Sequence, residues 1–360
     1  MPDIRSTPER VDAAWLTEVL RAAGAIRQAR VTDLNWAVVG AGMLGDSLRF
    51  SLTYDRDEGG PASVVAKLPA ADPNSRSACV ELGLYVNEVR FYQEIAPTIA
   101  VARPDCYFAD IDVASGDFTL LLEDLSPARG GDQLKGCSVE DARQAMIQAA
   151  AMHGPRWCDP ALKDIDWMRA RPRILKLIEG IFPDCQAEFH RRYDGVLEPE
   201  YMAVADRYAE VVGDFFGLDY QPWTLMHFDY RLDNMLFDAR GGVTPLAILD
   251  WQSLASGSGA LDVSYFLGAG LSVELRRKHE RELLELYLDE LRRHGVRDYS
   301  FDQLWRDYRV TALQGVSTSM HASTAAKRTE RGDQMFLAMA RGACQQAIDL
   351  DTFSALAEVL

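Results

Sequence analysis

Three polar side chains between positions 227 and 234 have the types and the spacing that a group-transfer site needs. His227, Asp229 and Asn234 form the pattern H-x-D-x-x-x-x-N. A carboxylate at Asp229 could accept or orient the proton of a substrate hydroxyl, and the amide oxygen of Asn234 could bind Mg²⁺. Transfer of a phosphoryl group needs both functions. The same residues could instead form an ordinary polar loop whose Asp and Asn side chains cap turns.

A second acidic residue follows at the end of a short apolar segment. Residues 246–249 predict a strand that ends immediately before Asp250, and residues 235–237 predict its hairpin partner. Mg²⁺ prefers oxygen ligands and is usually bound by one or two carboxylates together with substrate phosphate. An acid at a strand end also commonly begins a turn. The loop and the acid in this order favour phosphoryl transfer, with Asn234 and Asp250 as metal ligands.

A glycine-rich turn near position 40 could bring backbone amides close to phosphates. Gly40, Gly42 and Gly45 fit G-x-G-x-x-G, a pattern that also occurs in Rossmann folds. A Rossmann loop opens a helix, whereas residues 48–54 predict a strand. The sequence therefore predicts a strand–turn–strand loop that covers the phosphates of ATP, and it disfavours a dinucleotide oxidoreductase. An ordinary glycine-rich hairpin turn remains an alternative.

A lysine at the end of the next predicted strand could contact the same phosphates. Lys67 follows Val64-Val65-Ala66, and such a lysine needs a carboxylate partner on a neighbouring helix. Glu88 is the best candidate because it lies inside the predicted helix 78–95, and Glu81 and Glu94 compete with it. Without Lys67, a solvent-facing helix charge would be the preferred interpretation of Glu88.

The remaining pattern divides the chain into a strand-rich part and a helical part. Strands are predicted over 31–68, 106–110 and 118–123, after a first helix that begins at Thr7. Helical periodicity dominates at 139–153, 171–181, 201–216 and most of 273–350. The expected domains are therefore 1–125 and 126–360. Backbone groups at Glu123 and Leu125, where the parts join, could hydrogen-bond adenine, although a plain core strand explains the same residues.

Composition limits the possible partners. The 360 residues contain 38 Lys and Arg against 54 Asp and Glu, a net charge of −16, which argues against nucleic-acid binding. Six scattered cysteines predict neither a zinc cluster nor a disulfide framework. No apolar segment reaches the roughly 20 residues of a membrane span, and charges interrupt any signal peptide. A cytoplasmic protein without membrane partners is expected, and the oligomeric state stays open.

Taken together, the glycine loop, Lys67, Glu88, the 227–234 pattern and Asp250-Trp251 resemble the aminoglycoside phosphotransferase-like family, which includes choline, ecdysteroid-type and hydroxyacyl-type small-molecule kinases. The resemblance covers about residues 30–270. It implies an α+β, protein-kinase-like two-lobed fold, with a small antiparallel-sheet N-terminal lobe and a larger, mainly helical C-terminal lobe. It also implies ATP, Mg²⁺ and a small-molecule alcohol as acceptor.

The resemblance assigns the residues their roles. Asp229 would be the catalytic base, and Asn234 and Asp250 the metal ligands. Lys67 would hold the phosphates and Glu88 would orient Lys67. The rest of the nucleotide site would consist of Gly40, Gly42, Gly45, Glu123 and Leu125. Asp262 matches an acid that braces the catalytic loop, and His153 matches a packing residue of the helical part.

Two departures from the family pattern concern the acceptor. Phe228 stands where many members have glycine, and the metal motif Asp250-Trp251-Gln252 is closer to the ecdysteroid-type and hydroxyacyl-type relatives than to the antibiotic-resistance enzymes. No A-P-E ending follows Asp250, which disfavours a protein kinase. A nucleotide-binding pseudokinase that acts as a scaffold is the alternative function, although no catalytic position lacks its residue. The identity of the acceptor stays open.

Overall fold

The computed structural model describes residues 2–39, 45–168, 171–325 and 328–360, with side chains except at 171–179 and 325. The chain divides into two compact units. The N-terminal unit consists of residues 1–98, 103–127 and 249–253, and the C-terminal unit of residues 99–102, 128–248 and 254–360. The short segment 249–253 therefore packs with the N-terminal unit, although it lies far along the chain.

The N-terminal unit is built on an antiparallel sheet with the strand order β1-β2-β3-β5-β4 in its described residues. This arrangement confirms the predicted run of antiparallel strands. Its helices and strands are α1 (Ala13–Ala22), β1 (Val31–Val38), β2 (Gly45–Tyr54), β3 (Ser63–Pro69), α2 (Pro73–Leu82), α3 (Leu84–Arg90), β4 (Cys106–Asp112) and β5 (Asp117–Glu123).

The two faces of this sheet differ in what they contact. Phe50 of β2 and Val64 and Ala66 of β3 are fully buried in a cluster with Leu16 of α1. Because successive side chains of a strand point to opposite faces, Lys67 lies on the face away from this cluster. One face thus builds a core with α1, and the other presents the lysine.

Two predicted helices have different bounds in the structure. The first α-helix begins after Asp12, whose Oδ1 accepts a hydrogen bond from the Trp15 amide at 2.8 Å. Thr7 precedes only a short 3₁₀ turn and its side chain makes no capping hydrogen bond, so the predicted start at Thr7 is wrong. The helix predicted over 78–95 is divided at Gly83, whose φ of 73° ends α2 with a left-handed residue.

The C-terminal unit is mainly helical, as predicted. Its described elements, in chain order, are β6 (Arg129–Gly130), α4 (Val139–His153), α5 (Arg171–Tyr193), α6 (Pro199–Gly217), β7 (Thr224–Met226), β8 (Met235–Ala239), β9 (Thr244–Ile248), β10 (Ala255–Gly257), α7 (Gly259–Gly270), α8 (Val273–Arg293), α9 (Phe301–Thr311), α10 (Leu313–Ala325), α11 (Glu330–Asp349) and α12 (Thr352–Ala357). None of the helices in the described part of the chain has the length and apolar composition to cross a lipid bilayer.

The short strands of this unit fix the ends of the 227–234 loop. The loop begins directly after β7, which pairs with β10, and it ends where β8 begins. Strand β8 pairs with β9 in the predicted hairpin, with Met235 opposite Ile248. Both ends of the loop are therefore held by strand pairing. A large apolar cluster of the same unit includes Met226 of β7 and is formed mainly by α5, α6, α10 and α11.

Candidate active site

Lys67 lies at the centre of a charged cluster in the N-terminal unit. Its Nζ is 2.5 Å from Oε1 of Glu88 on α3 and 3.2 Å from Oδ1 of Asp250. The Glu88 side chain is 3% exposed, whereas that of Asp250 is 30% exposed. Lys67 thus contacts a carboxylate that lies 183 positions further along the chain. Of the three acids considered from the sequence, Glu88 is the one that pairs with Lys67, and Glu94 pairs with Arg90.

The charges of this cluster keep Lys67 protonated. Burial alone would lower the pKa of Lys67, but the carboxylates of Asp250 and Glu88 outweigh burial and raise this pKa above its ordinary value. Lys67 is therefore a cation throughout the physiological pH range. A fixed positive charge of this kind can neutralise the developing charge of a phosphoryl group.

Asp250 has an unusual backbone conformation. Its φ is +66°, in the left-handed region, which costs a non-glycine residue about 1–2 kcal/mol. Gln252 Nε2 also lies 3.4 Å from Oδ2 of Asp250. The conformation turns the chain sharply just after β9 and leaves the carboxylate partly exposed beside Lys67.

In the C-terminal unit, Asp229 is surrounded by donors. Asn234 Nδ2 donates to both the backbone carbonyl and Oδ2 of Asp229, each at 2.9 Å. Arg231 Nε lies 3.0 and 3.1 Å from the two carboxylate oxygens, and the Tyr265 hydroxyl lies 3.3 Å from Oδ1. The structure thus joins the predicted base and the predicted amide ligand within one loop. The donors fix the orientation of the carboxylate.

Sequence reasoning did not single out Arg231. Its guanidinium also binds Asp233 Oδ2 at 3.0 Å, and it lies 3.7 Å from the sulfur of Met335 on α11. Burial alone would raise the pKa of Asp229, but Arg231 and His227 hold this pKa below its usual range. The sequence signal that could have indicated this contact is an arginine two residues after the predicted base, and only the fold shows that its side chain turns back onto Asp229.

A buried carboxylate holds the backbone of the same loop. Asp262 on α7 is 1% exposed and accepts hydrogen bonds from the amides of His227 at 2.7 Å and Phe228 at 2.8 Å. His153 Nε2 lies 3.2 Å from the same carboxylate. Phe228 has a φ of +67°, a conformation that suits glycine, so these bonds keep a strained residue in place. The contacts match the bracing role that the resemblance implies.

Removing this brace should destabilise the protein. We expect Asp262→Ala to lower the free energy of unfolding by roughly 3–5 kcal/mol, because two backbone amides and one imidazole lose their acceptor at about 1–3 kcal/mol each. Asp262→Asn keeps one acceptor oxygen and should cost clearly less. Denaturant unfolding of both variants measures the difference. A loss below about 1 kcal/mol for Asp262→Ala would contradict the brace.

The other residues of the predicted nucleotide site are the glycines of the loop near position 40 and Glu123 and Leu125, and the structure describes only some of them. Gly40 and Gly42 lie outside the described residues. Gly45 begins β2, and a Cβ there would meet the backbone oxygen of Leu68 at 3.2 Å. At the end of β5, the amide of Glu123 donates to the carbonyl of Asp105 at 2.8 Å, and Leu125 is buried. Adenine binding at Glu123 and Leu125 stays a prediction.

The donor chemistry of Asn234 and Asp250 suits Mg²⁺. Because the amide nitrogen of Asn234 donates to Asp229, its Oδ1 is the atom suited to bind a cation. Asp250 supplies carboxylate oxygens, and oxygen is the element that Mg²⁺ prefers. Within the described ranges, no group of three or more His, Cys, Asp or Glu side chains could hold a metal ion. Each of these two side chains by itself supplies an oxygen ligand of the kind that binds Mg²⁺ together with phosphates and water.

Comparison with known families supports the resemblance. The model of the ecdysteroid kinase-like family matches residues 172–297, a range that contains Asp229, Asn234 and Asp250. Curated protein sequences gave no match. The predicted resemblance to ecdysteroid-type and aminoglycoside phosphotransferase-like kinases is confirmed by this match and by the solved structures that share the fold.

Three of those structures are small-molecule kinases. The choline kinase of Cryptosporidium parvum Iowa II is 9% identical with a TM-score of 0.56, and the match covers 97% of this chain and 98% of that one. The GDP complex of aminoglycoside 2'-phosphotransferase-IIIa is 13% identical, with 93% and 99% covered and a TM-score of 0.53. A microcompartment-associated aminopropanol kinase is 15% identical, with 94% and 99% covered and a TM-score of 0.51. The predicted protein-kinase-like fold class is therefore confirmed.

Proposed function

We propose that this protein is a Mg²⁺-dependent phosphotransferase that moves the γ-phosphoryl group of ATP to a hydroxyl of a small molecule. The observation that carries the proposal is the Lys67 cluster, in which one ammonium pairs with Glu88, its predicted partner, and also with Asp250. The family match and the small-molecule kinases that share the fold support the same reaction class.

In the proposed reaction, the hydroxyl oxygen of the acceptor forms a bond to the γ-phosphorus while the bond from that phosphorus to the β–γ bridging oxygen breaks. Asp229 orients the hydroxyl and accepts its proton, and the products are a phosphate monoester and ADP. Lys67 neutralises charge on the phosphates, and Glu88 holds the Lys67 ammonium. Asn234 and Asp250 would hold Mg²⁺, which supplies further charge neutralisation.

The proposal is tested by incubating the purified protein with Mg·ATP and a panel of hydroxylated metabolites. Formation of ADP and of a phosphate monoester, followed by ³¹P NMR, is the expected result with at least one acceptor. A protein that binds Mg·ATP but transfers phosphate to no acceptor or water would instead support the scaffold alternative. The intact set of catalytic side chains favours transfer.

The charges near the 227–234 loop bear on the acceptor. Asp233 pairs with Arg231 at 3.0 Å, and Asp132 pairs with Lys135 at 2.9 Å. Arg331 lies 3.8 Å from both of these carboxylates. These two acids therefore already have cationic partners on the protein. This arrangement favours an uncharged or anionic acceptor over an aminoglycoside.

We therefore expect kanamycin, a polycationic aminoglycoside, to be a poor acceptor. Its kcat/KM should be about tenfold or more below that of the best uncharged alcohol of comparable size, since each loss of about 1.4 kcal/mol of attraction is a factor of ten. Steady-state assays at fixed ionic strength provide the comparison. If kanamycin were the best acceptor of the panel, the charge argument would be wrong while the reaction class would stand.

A further inference from the structure

The segment that carries Asp250 is attached by a stacked pair of aromatic rings to the residue that follows α3. The Trp251 indole lies on the ring of Phe91 with a centroid separation of 3.9 Å and an interplanar angle of 7°. Both side chains are fully buried. Parallel rings at this distance exclude water and fix the rotation of both side chains. Trp251 therefore cannot turn without opening the core of the N-terminal unit.

A hydrogen bond fixes the next residue of the segment to the same helix. The Nδ2 of Asn87 donates to the backbone carbonyl of Gln252 at 3.0 Å, and Asn87 is 7% exposed. A buried amide that donates to a backbone carbonyl holds that backbone in one position, because the amide has lost its water and needs this acceptor. The chain is thus held immediately after Asp250 at two successive residues.

These contacts come from the end of α3, which also carries Glu88, and from the first residue after it. Asn87 and Phe91 are four residues apart and Glu88 and Phe91 are three apart, so all three lie on neighbouring positions of one helical surface. At Phe91 the helix changes into a π-helical turn, Phe91–Ile95, a feature often found at functional sites. One turn of helix therefore contacts both Lys67 and the segment after Asp250.

We propose that Asn87 and Phe91 are positioning residues that hold the Asp250 carboxylate where a nucleotide-bound cation needs it. This inference rests on the proposed function, because it takes Asp250 as a metal ligand. Asp250 has the left-handed conformation described above, which persists only when its surroundings impose it. The contacts of Trp251 with Phe91 and of Gln252 with Asn87 impose this conformation from the C-terminal side of Asp250. Without them, Asp250 would relax to a common conformation and its carboxylate would move away from Lys67.

The experiment measures cation binding rather than turnover. Mn²⁺ affinity is determined by electron paramagnetic resonance in the presence of a non-hydrolysable ATP analogue, for Phe91→Leu, Asn87→Ala and Phe50→Leu. Phe50 is the matched control, because it is equally buried in the same unit but packs in the cluster with α1. We expect the first two variants to raise the Mn²⁺ Kd about 10–100-fold, the usual cost of losing a group that orients a metal ligand. Phe50→Leu should stay within about twofold of wild type, as a residue without contact to the ligand does.

Asp250→Asn separates this inference from the proposed function. If Asp250→Asn weakens Mn²⁺ binding, Phe91→Leu should add little in the Asp250→Asn background, since both changes act through the same carboxylate. A second outcome is that Asp250→Asn weakens Mn²⁺ binding while Phe91→Leu, Asn87→Ala and Phe50→Leu all bind Mn²⁺ equally well. That outcome would overturn only the positioning role of Asn87 and Phe91. An unchanged Mn²⁺ affinity in Asp250→Asn would overturn the metal role of Asp250 and this inference with it.

Discussion

Asp229→Asn should lower kcat for phosphoryl transfer by about 10²–10⁴-fold, the usual contribution of a positioned general base. The substitution keeps the shape of the side chain, and the amide oxygen can still accept a hydrogen bond from Arg231 or Asn234. It removes the negative charge that, in the proposed reaction, aligns the acceptor hydroxyl and accepts its proton. Single-turnover assays with saturating Mg·ATP and acceptor measure the loss directly.

Two controls test whether the loss of kcat is specific to Asp229. Affinity for Mg·ATP should change little, because Lys67, Glu88 and Asp250 are unaltered and the Asn234 amide keeps the backbone carbonyl of residue 229 as an acceptor. Asp238→Asn alters an exposed aspartate of β8, which contacts Arg129, and should leave kcat near wild type. If Asp229→Asn kept more than about a tenth of wild-type kcat, Asp229 would not be the base.

Lys67→Met should reduce both activity and stability. Transfer should fall about 10²–10³-fold, because a preorganised donor to the phosphates is lost. The free energy of unfolding should fall by roughly 3–5 kcal/mol, since Glu88 is left as a buried carboxylate without its cation. Denaturant unfolding and steady-state assays measure the two effects separately.

A double substitution distinguishes the catalytic role of Lys67 from its structural one. Lys67→Met combined with Glu88→Leu replaces the ion pair by apolar groups, which often restores stability. The double variant should therefore unfold nearly like wild type and remain inactive. Recovery of transfer together with stability would show that Lys67 serves only the fold.

The sequence predicts those parts of the site that depend on residue type and order. A carboxylate and an amide five residues apart in one loop, and a lysine at a strand end, indicate their chemistry through their functional groups and spacing. The strands of the N-terminal unit were equally predictable, because alternation of apolar residues sets which face is buried. Lys67 lies opposite the α1 face for this reason alone.

Other features depend on side-chain direction and long-range packing, which spacing does not encode. Arg231 could have pointed to solvent, and its place on Asp229 depends on contacts with Asp233 and Met335. The left-handed conformation of Asp250 runs against its intrinsic preference and exists because of tertiary contacts. The start of α1 after Asp12 instead of Thr7 accompanies a capping hydrogen bond that the Asp12 side chain accepts and the Thr7 side chain does not make.

The segment 249–253 also determines how the chain can be divided. A truncated gene product ending at residue 127 would retain every strand of the β1–β5 sheet but would lack Trp251, whose ring covers Phe91. It would also lack one of the two carboxylates paired with Lys67. No single peptide bond separates the two compact units, so a domain exchange at residue 127 would leave the N-terminal unit without its segment 249–253.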